Sequence, residues 1–255
     1  MRPTIQFFGV AAYKIVTSSG KVVVIDPFLN KNPVSPIKAA DLDRVDLLLI
    51  THNAVDHFGD APEIIRKHRC PVICAKDVMH NLTKVHQIDP DLFRVTIWGM
   101  EIEEAETRVR PVESHHWSFA VTPDGQLLSG PAMGFIVDAG EGVLIYHPGD
   151  TALTYDMKLW GELYRPTVGL MHVTLPEGEG VSLPHMECYK SGELTPYEAW
   201  LASQWLQLEH IIISHYTDPN CEDVQHFVEL VKSASSSGTY SPKLTILQPG
   251  ITFEL

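Results

Sequence analysis

Residues 47–60 read Leu47-Leu48-Leu49-Ile50-Thr51-His52-Asn53-Ala54-Val55-Asp56-His57-Phe58-Gly59-Asp60. Consecutive apolar residues bounded by polar ones read as a short strand buried on both faces. The chain then turns polar and offers His52, Asp56 and His57 ahead of a helix-like stretch from Ala61 to His68. Imidazole and carboxylate are the usual ligands of zinc and several other transition metals. A strand end followed by a helix start can hold such ligands in place.

The same arrangement recurs further along. His115 and His116 follow the strand-like run Thr107–Glu113. Asp150 follows Gly142–Tyr146, inside His147-Pro148-Gly149-Asp150-Thr151. His215 follows Ile211–Ile213 and Ser214. Sites in sheet folds gather in the loops at one end of the strands, so this repeated placement points to a metal site. Taken singly, each residue has a plainer reading. An isolated histidine is usually structural, and that reading serves for His68, His80, His86, His172, His210 and His226. Asp150 alone is also good turn chemistry after Pro-Gly.

Outside these segments the chain reads as an α/β protein. Further strands are expected at Thr4–Phe8, Ala12–Thr17, Lys21–Ile25, Val45–Ile50, Pro71–Ala75, Arg94–Trp98, Met133–Asp138, Thr167–Val173 and Leu244–Leu247. Thr195-Pro196-Tyr197-Glu198 is a helix start, with a Thr cap, Pro at the first helical position and Glu three residues past the cap. Ser233–Gly238 reads as a polar loop. Residues 175–194 form a long polar segment rich in Gly and Pro, the kind that serves as a lid or binding loop. With no Gly/Ser/Pro-rich linker, residues 1–255 are expected to form one domain.

Composition narrows the function. The chain has 255 residues and a formal net charge of −13. Nucleic-acid binders need basic faces to neutralise phosphates, so no nucleic-acid partner is expected. No apolar run is long enough to span a membrane. The start, MRPTIQFFGV, has no secretory pattern, and a cytoplasmic location is expected. Cys70 and Cys74 flank Pro-Val-Ile on one face of a strand, which suits packing better than a disulfide.

Residues Thr51–Gly59 resemble the T-H-x-H-x-D-H motif of the metallo-β-lactamase superfamily. The segments Ile25–Leu29 with Asn32-Pro33, Gly130–Phe135, Tyr146–Thr151 and Ser214–Tyr216 resemble its ascorbate-6-phosphate lactonase-like branch. The resemblance runs nearly end to end. It implies a four-layer αββα sandwich and a site for one or two divalent ions. Zinc is the first choice, and manganese, iron or nickel are compatible. The first metal would take His52, a histidine at 54, His116 and Asp150. The second would take Asp56, His57, Asp150 and His215. Position 54 is Ala here, and a methyl group binds no metal. Relatives also often carry His after Gly9, where this chain has Val10. Asn53 and His115 are the candidates to compensate for Ala54.

The resemblance implies hydrolysis by a metal-activated water, with Asp56 as the catalytic residue that also binds metal. The substrate would be a small-molecule lactone, ester, amide or activated ether. His115, Trp117, His185 and Tyr216 are the candidate substrate contacts. The alternative is a non-catalytic or weakly catalytic subunit supporting an active paralogue, as the loss of a ligand at position 54 would allow. A homo- or hetero-oligomer fits either reading. Di-iron redox chemistry is disfavoured, because no flavin-binding segment is evident.

Overall fold

The apolar runs pair into two sheets in a computed structural model that describes residues 1–174, 192–238 and 240–255. The first sheet takes β1 (Thr4–Gly9), β2 (Ala12–Val16), β3 (Val22–Ile25), β4 (Leu47–Leu49), β5 (Val72–Cys74) and β6 (Phe93–Val95). The second takes β7 (Ile102–Glu104), β8 (Thr107–Val121), β9 (Leu127–Gly140), β10 (Val143–His147), β11 (Val168–His172), β12 (His210–Ser214) and β13 (Lys243–Thr245). The last strand, β14 (Thr252–Glu254), returns to pair with β1. Both sheets are mixed: β3 to β6 and β10 to β13 run parallel, and the remaining pairs are antiparallel.

The helices are α1 (Val55–Phe58), α2 (Ala61–His68), α3 (Lys76–Lys84), α4 (Asp156–Leu163), α5 (Pro196–Leu206) and α6 (Glu222–Ser237). Strand alternation explains why the runs are apolar on every residue. Val23, Ile25, Leu47 and Leu49 join the cluster shared with Val109, Phe135, Val137 and Ile145 of the facing sheet. Their neighbours Val22, Val24, Leu48 and Ile50 pack instead with Ile64 and Ile65 of α2 and Val78 and Leu82 of α3. Residues of α4, α5 and α6, among them Met157, Trp160, Ala199, Trp200 and Phe227, pack with the strands of the second sheet. The result is the αββα sandwich, with each sheet buried on both faces.

Two expectations are corrected. The run expected to end at Glu113 continues as β8 to Val121, paired with β9 across a register shift between Glu113 and Trp117. His115, His116 and Trp117 therefore sit at a bulged strand rather than on a loop beyond it. Bulges re-aim side chains, and they are common beside functional sites. Ser233–Gly238 is not a loop, because α6 runs through Ser237 and stops at Gly238 in the left-handed conformation, φ 72°. Val224, Phe227, Val228 and Val231 bury one face of α6, and nothing before Gly238 ends its backbone ladder. The helix start at Thr195 forms as read, with Thr195 Oγ1 accepting from the Glu198 N–H and Glu198 Oε2 from the Thr195 N–H. Among the described residues, no helix is long and apolar enough to cross a membrane.

Candidate metal centre

The strand ends and loops at one end of the sandwich deliver the chemistry. His52 follows β4, Asp56 and His57 lie on the single turn of α1, Asp150 follows β10, and His215 follows β12. Two groups result, in which the ligand atoms all lie within 4.8 Å of one another: Asp56, His57, Asp150 and His215; and His52, His116 and Asp150. Asp150 belongs to both. Its Oδ2 is 3.1 Å from His57 Nε2 and 3.8 Å from His52 Nε2, and its Oδ1 is 3.3 Å from His215 Nε2. Asp56 Oδ2 stands 3.7 Å from His57 Nε2 and 3.6 Å from His215 Nε2.

The positions are held from behind. Asp26, fully buried after β3, accepts from the Thr51 N–H (2.8 Å) and the Thr51 hydroxyl (2.8 Å). It also accepts from His57 Nδ1 (2.8 Å) and His147 Nε2 (2.9 Å). Because the Thr51 hydroxyl donates to Asp26, it accepts from His52 Nδ1, 3.0 Å away. His116 Nδ1 donates to the Gly192 carbonyl at 3.2 Å. His52 and His57 thus each spend Nδ1 on the scaffold and turn Nε2 towards Asp150, which is how metal-binding histidines are oriented. Gly149, at φ 62°, brings the Asp150 turn against Thr51, where a Cβ would lie 2.9 Å from the threonine side chain. His215 sits in the left-handed region at φ 62°, and its N–H donates to the Val10 carbonyl at 2.8 Å. The β1–β2 turn that carries Val10 therefore braces this histidine. Such backbone strain in a non-glycine residue is typical of functional sites.

A metal ion fits this donor set. His52 Nε2, His57 Nε2, His215 Nε2 and Asp150 Oδ1 are buried and make no hydrogen bond of acceptable geometry among the described residues. Buried polar atoms are rarely left so. Four orphaned donors converging on one space are what a divalent cation would satisfy.

Neither candidate compensates for Ala54. Asn53 is turned towards α3, donating to Asp77 Oδ2 at 2.8 Å and accepting from Asn81 Nδ2 at 3.0 Å. His115 is exposed and lies 3.5 Å from Glu113. Of the substrate contacts read from the sequence, Tyr216 is corrected. It is buried against Phe7 and its hydroxyl donates to the Leu247 carbonyl, so it is core. Trp117 is partly exposed beside the His116 ring, 6.2 Å between centroids. His185, with residues 175–191 of the expected lid, lies outside the described residues.

Sequence reading missed Asp26, His147, His172 and Glu193. His172 was read as an ordinary structural histidine. It is buried 5.9 Å from the His215 ring, and its Nε2 accepts from the Leu194 N–H at 2.9 Å. A signal was present, since His147 and His172 close strands just as His52 and His215 follow theirs. Glu193 is buried, and burial, then Asp150, push its pKa up to about 8.

Protonation divides the centre. Burial works against charge on His57, but Asp150, Asp26 and Asp56 together outweigh it and hold its pKa well above the imidazole range. Burial is likewise outweighed at His215, where Asp150 and Asp56 raise the value to about 9. Burial, then His57, bring His52 down to about 3, and burial chiefly lowers His116. Without metal at neutral pH, His57 and His215 thus hold protons while His52 and His116 do not. A metal needs the bare nitrogen, so filling the group around His57 and His215 must expel protons. Calorimetric titration in buffers of different ionisation heat is expected to show about one to two protons released at pH 7, with affinity rising as pH is raised towards 9. A buffer-independent heat would show that both rings are already neutral.

The architecture is that of the metallo-β-lactamase superfamily, and residues 21–216 match the family model described as the β-lactamase superfamily domain. A solved metallo hydrolase from the archaeon Ignicoccus hospitalis superposes with a TM-score of 0.73 at 25% identity, over 100% of both chains. A UPF0173 metal-dependent hydrolase of Pyrococcus furiosus is 32% identical over 253 residues, 98% of this chain and 99% of the relative. One from Thermococcus onnurineus is 32% identical over 254 residues, again 98% and 99%. The chain belongs to the UPF0173 metal-dependent hydrolase family, and it is an enzyme of that class. Nothing in these likenesses favours the non-catalytic subunit over the hydrolase.

Proposed function

We propose that this centre hydrolyses a small electrophilic substrate of the lactone, ester, amide or activated-ether class, with zinc as the first candidate metal. The observation that carries this reading is the convergence of the orphaned Nε2 atoms of His52, His57 and His215 on the shared Asp150. His52, His116 and Asp150 would hold one ion, and Asp56, His57, Asp150 and His215 the other. A bound divalent ion supplies Lewis acidity and lowers the pKa of water at the site.

The chain's own residues do the rest. Asp56 has a side chain 37% exposed against 5% for Asp150, so it is the carboxylate of the pair that solvent reaches more readily. Burial alone would raise its pKa, but His57 and His215 outweigh that and keep it ionised. An ionised carboxylate at the mouth accepts a hydrogen bond from an incoming water and orients it. Asp26 fixes the rotamer and tautomer of His57, and Thr51 does so for His52. Trp117, beside His116, offers an apolar face to the substrate, and His115 is exposed one residue before His116.

Elemental analysis of protein purified without added metal tests the centre directly. One or two equivalents of zinc, manganese, iron or nickel are expected, and none would overturn the reading. A panel of lactones, esters, amides and ethers assayed with and without chelator then tests the substrate class. Hydrolysis that chelation abolishes and metal restores is expected.

Ala54→His provides a separate check. Position 54 caps α1 between His52 and Asp56, and it is where the superfamily motif carries an imidazole. The substitution is expected to tighten the weaker of the two sites, by roughly tenfold or more. An unchanged isotherm would show that another group already occupies the coordination position.

A further inference from the structure

Asn53 is buried, and both ends of its side-chain amide are spent on one small network. Its Nδ2 donates to Asp77 Oδ2 at 2.8 Å, and its Oδ1 accepts from Asn81 Nδ2 at 3.0 Å. The Asn53 backbone N–H donates to Ser118 Oγ at 3.2 Å, and the Ser118 hydroxyl donates in turn to Asp77 Oδ2. One carboxylate oxygen on α3 therefore joins two segments, the loop after β4 and strand β8. Those segments carry His52, one residue before Asn53, and His116, two residues before Ser118. Both histidines belong to the first ligand group, with Asp150, and their ring centroids are 5.1 Å apart.

The fold makes room for this carboxylate. Gly130 pairs with Ser118 across the β8–β9 ladder, and a Cβ at that glycine would lie 2.3 Å from Asp77 Oδ1. Asp77 is buried, and burying a carboxylate is costly unless its hydrogen bonds compensate. Its two side-chain donors, Asn53 and Ser118, sit on the two segments that carry the first-group histidines. With Ala at position 54 that group has only His52, His116 and Asp150, so its affinity depends on how firmly those three are held. The second group is braced elsewhere, by Asp26 behind His57 and by the Val10 carbonyl at His215. We propose that Asp77 is a positioning residue of the metal centre, which ties the His52 loop to the His116 strand and so sets the spacing of the first group. The inference rests on the metal-dependent reading of the centre.

Zinc titration by calorimetry on wild type and His116→Ala first identifies the binding step that belongs to the first group. Asp77→Ala, Asp77→Asn and Ser118→Ala are then titrated, loaded with cobalt(II) for visible absorption, and melted without metal. Asp77→Ala is expected to weaken the first-group step by about 10–100-fold, to leave the other step unchanged, and to shift the cobalt spectrum. Ser118→Ala removes one half of the tie and should show a smaller loss at the same step. Asp77→Asn keeps an oxygen acceptor in place and should retain much of the affinity that Asp77→Ala loses. Unchanged titrations and spectra in Asp77→Ala and Ser118→Ala would overturn the proposal while leaving the metal centre intact. Equal weakening of both steps, with a lower melting temperature, would also overturn it by making Asp77 a residue of general stability. Should Asp77→Ala not fold, Ser118→Ala decides by the same criteria. A wild type that binds no zinc, or whose titration His116→Ala leaves untouched, would overturn the metal reading of the first group and this inference with it.

Discussion

Asp150→Ala is expected to strip the centre of metal, taking a chain that holds one or two ions to one that retains almost none after dialysis. Asp150 is the residue common to both ligand groups. One oxygen faces His215 at 3.3 Å and the other faces His57 at 3.1 Å and His52 at 3.8 Å. Its loss removes a donor from each group and also the negative charge that favours a cation there. Hydrolytic turnover should fall by about a thousandfold or more, or roughly 4 kcal/mol of lost transition-state stabilisation. Asp150→Asn keeps the volume and one neutral oxygen, so it should fall between wild type and alanine in metal affinity. Elemental analysis after chelator dialysis reads the effect without a substrate. Full metal retention in Asp150→Ala would show that the two groups do not share this carboxylate.

Asp26→Ala should affect the whole molecule as well as the centre. Four hydrogen bonds end on this buried carboxylate: two from Thr51, one from His57 and one from His147. Truncation leaves those donors buried and unpaired, at a cost of about 3–5 kcal/mol, which is a large share of a typical domain's stability. It also frees the His57 ring, and loss of such an orienting partner lowers metal affinity by roughly 10–100-fold. Burial would raise the Asp26 pKa, but His57 and His147 outweigh it and hold the folded value well below the ordinary range. A depressed pKa means that the stabilisation is present above the unfolded value, near 3.9, and is lost as pH falls towards the folded value. Wild type should therefore lose stability on acidification below about pH 4, and Asp26→Asn should lose less over that window. Denaturant midpoints measured from pH 7 downwards check both statements. A variant as stable as wild type, with the same acid profile, would remove Asp26 from its central position.

Much of the centre was legible in the sequence because its ligands obey a local rule. His52, Asp150 and His215 each follow a short apolar strand, and strand ends are recognisable from the change in residue type alone. The choice of His116 over His115 rested on resemblance. In the structure it depends on the β8–β9 register shift, which brings His116 into the first group while His115 is exposed. The candidacy of Asn53 failed because its partners on α3 lie 24 and 28 residues away in sequence. Tyr216 follows His215 directly, which made it look like a pocket residue, yet its ring turns into the core beside Phe7.

The sequence by itself determined the strand order of residue types, the Thr195 helix start and the donor types at each strand end. All of these follow from local side-chain period and turn chemistry. Tertiary structure alone decided which donors share a space and what stands behind them. His147 and Asp26 are 121 residues apart in the chain and hydrogen-bonded at 2.9 Å. Glu193 falls in the polar segment 175–194 in the sequence, and only the fold buries it. The reason is physical: a residue's propensity is set by its neighbours in sequence, whereas burial, charge balance and unsatisfied donors are set by neighbours in space, which local pattern does not encode.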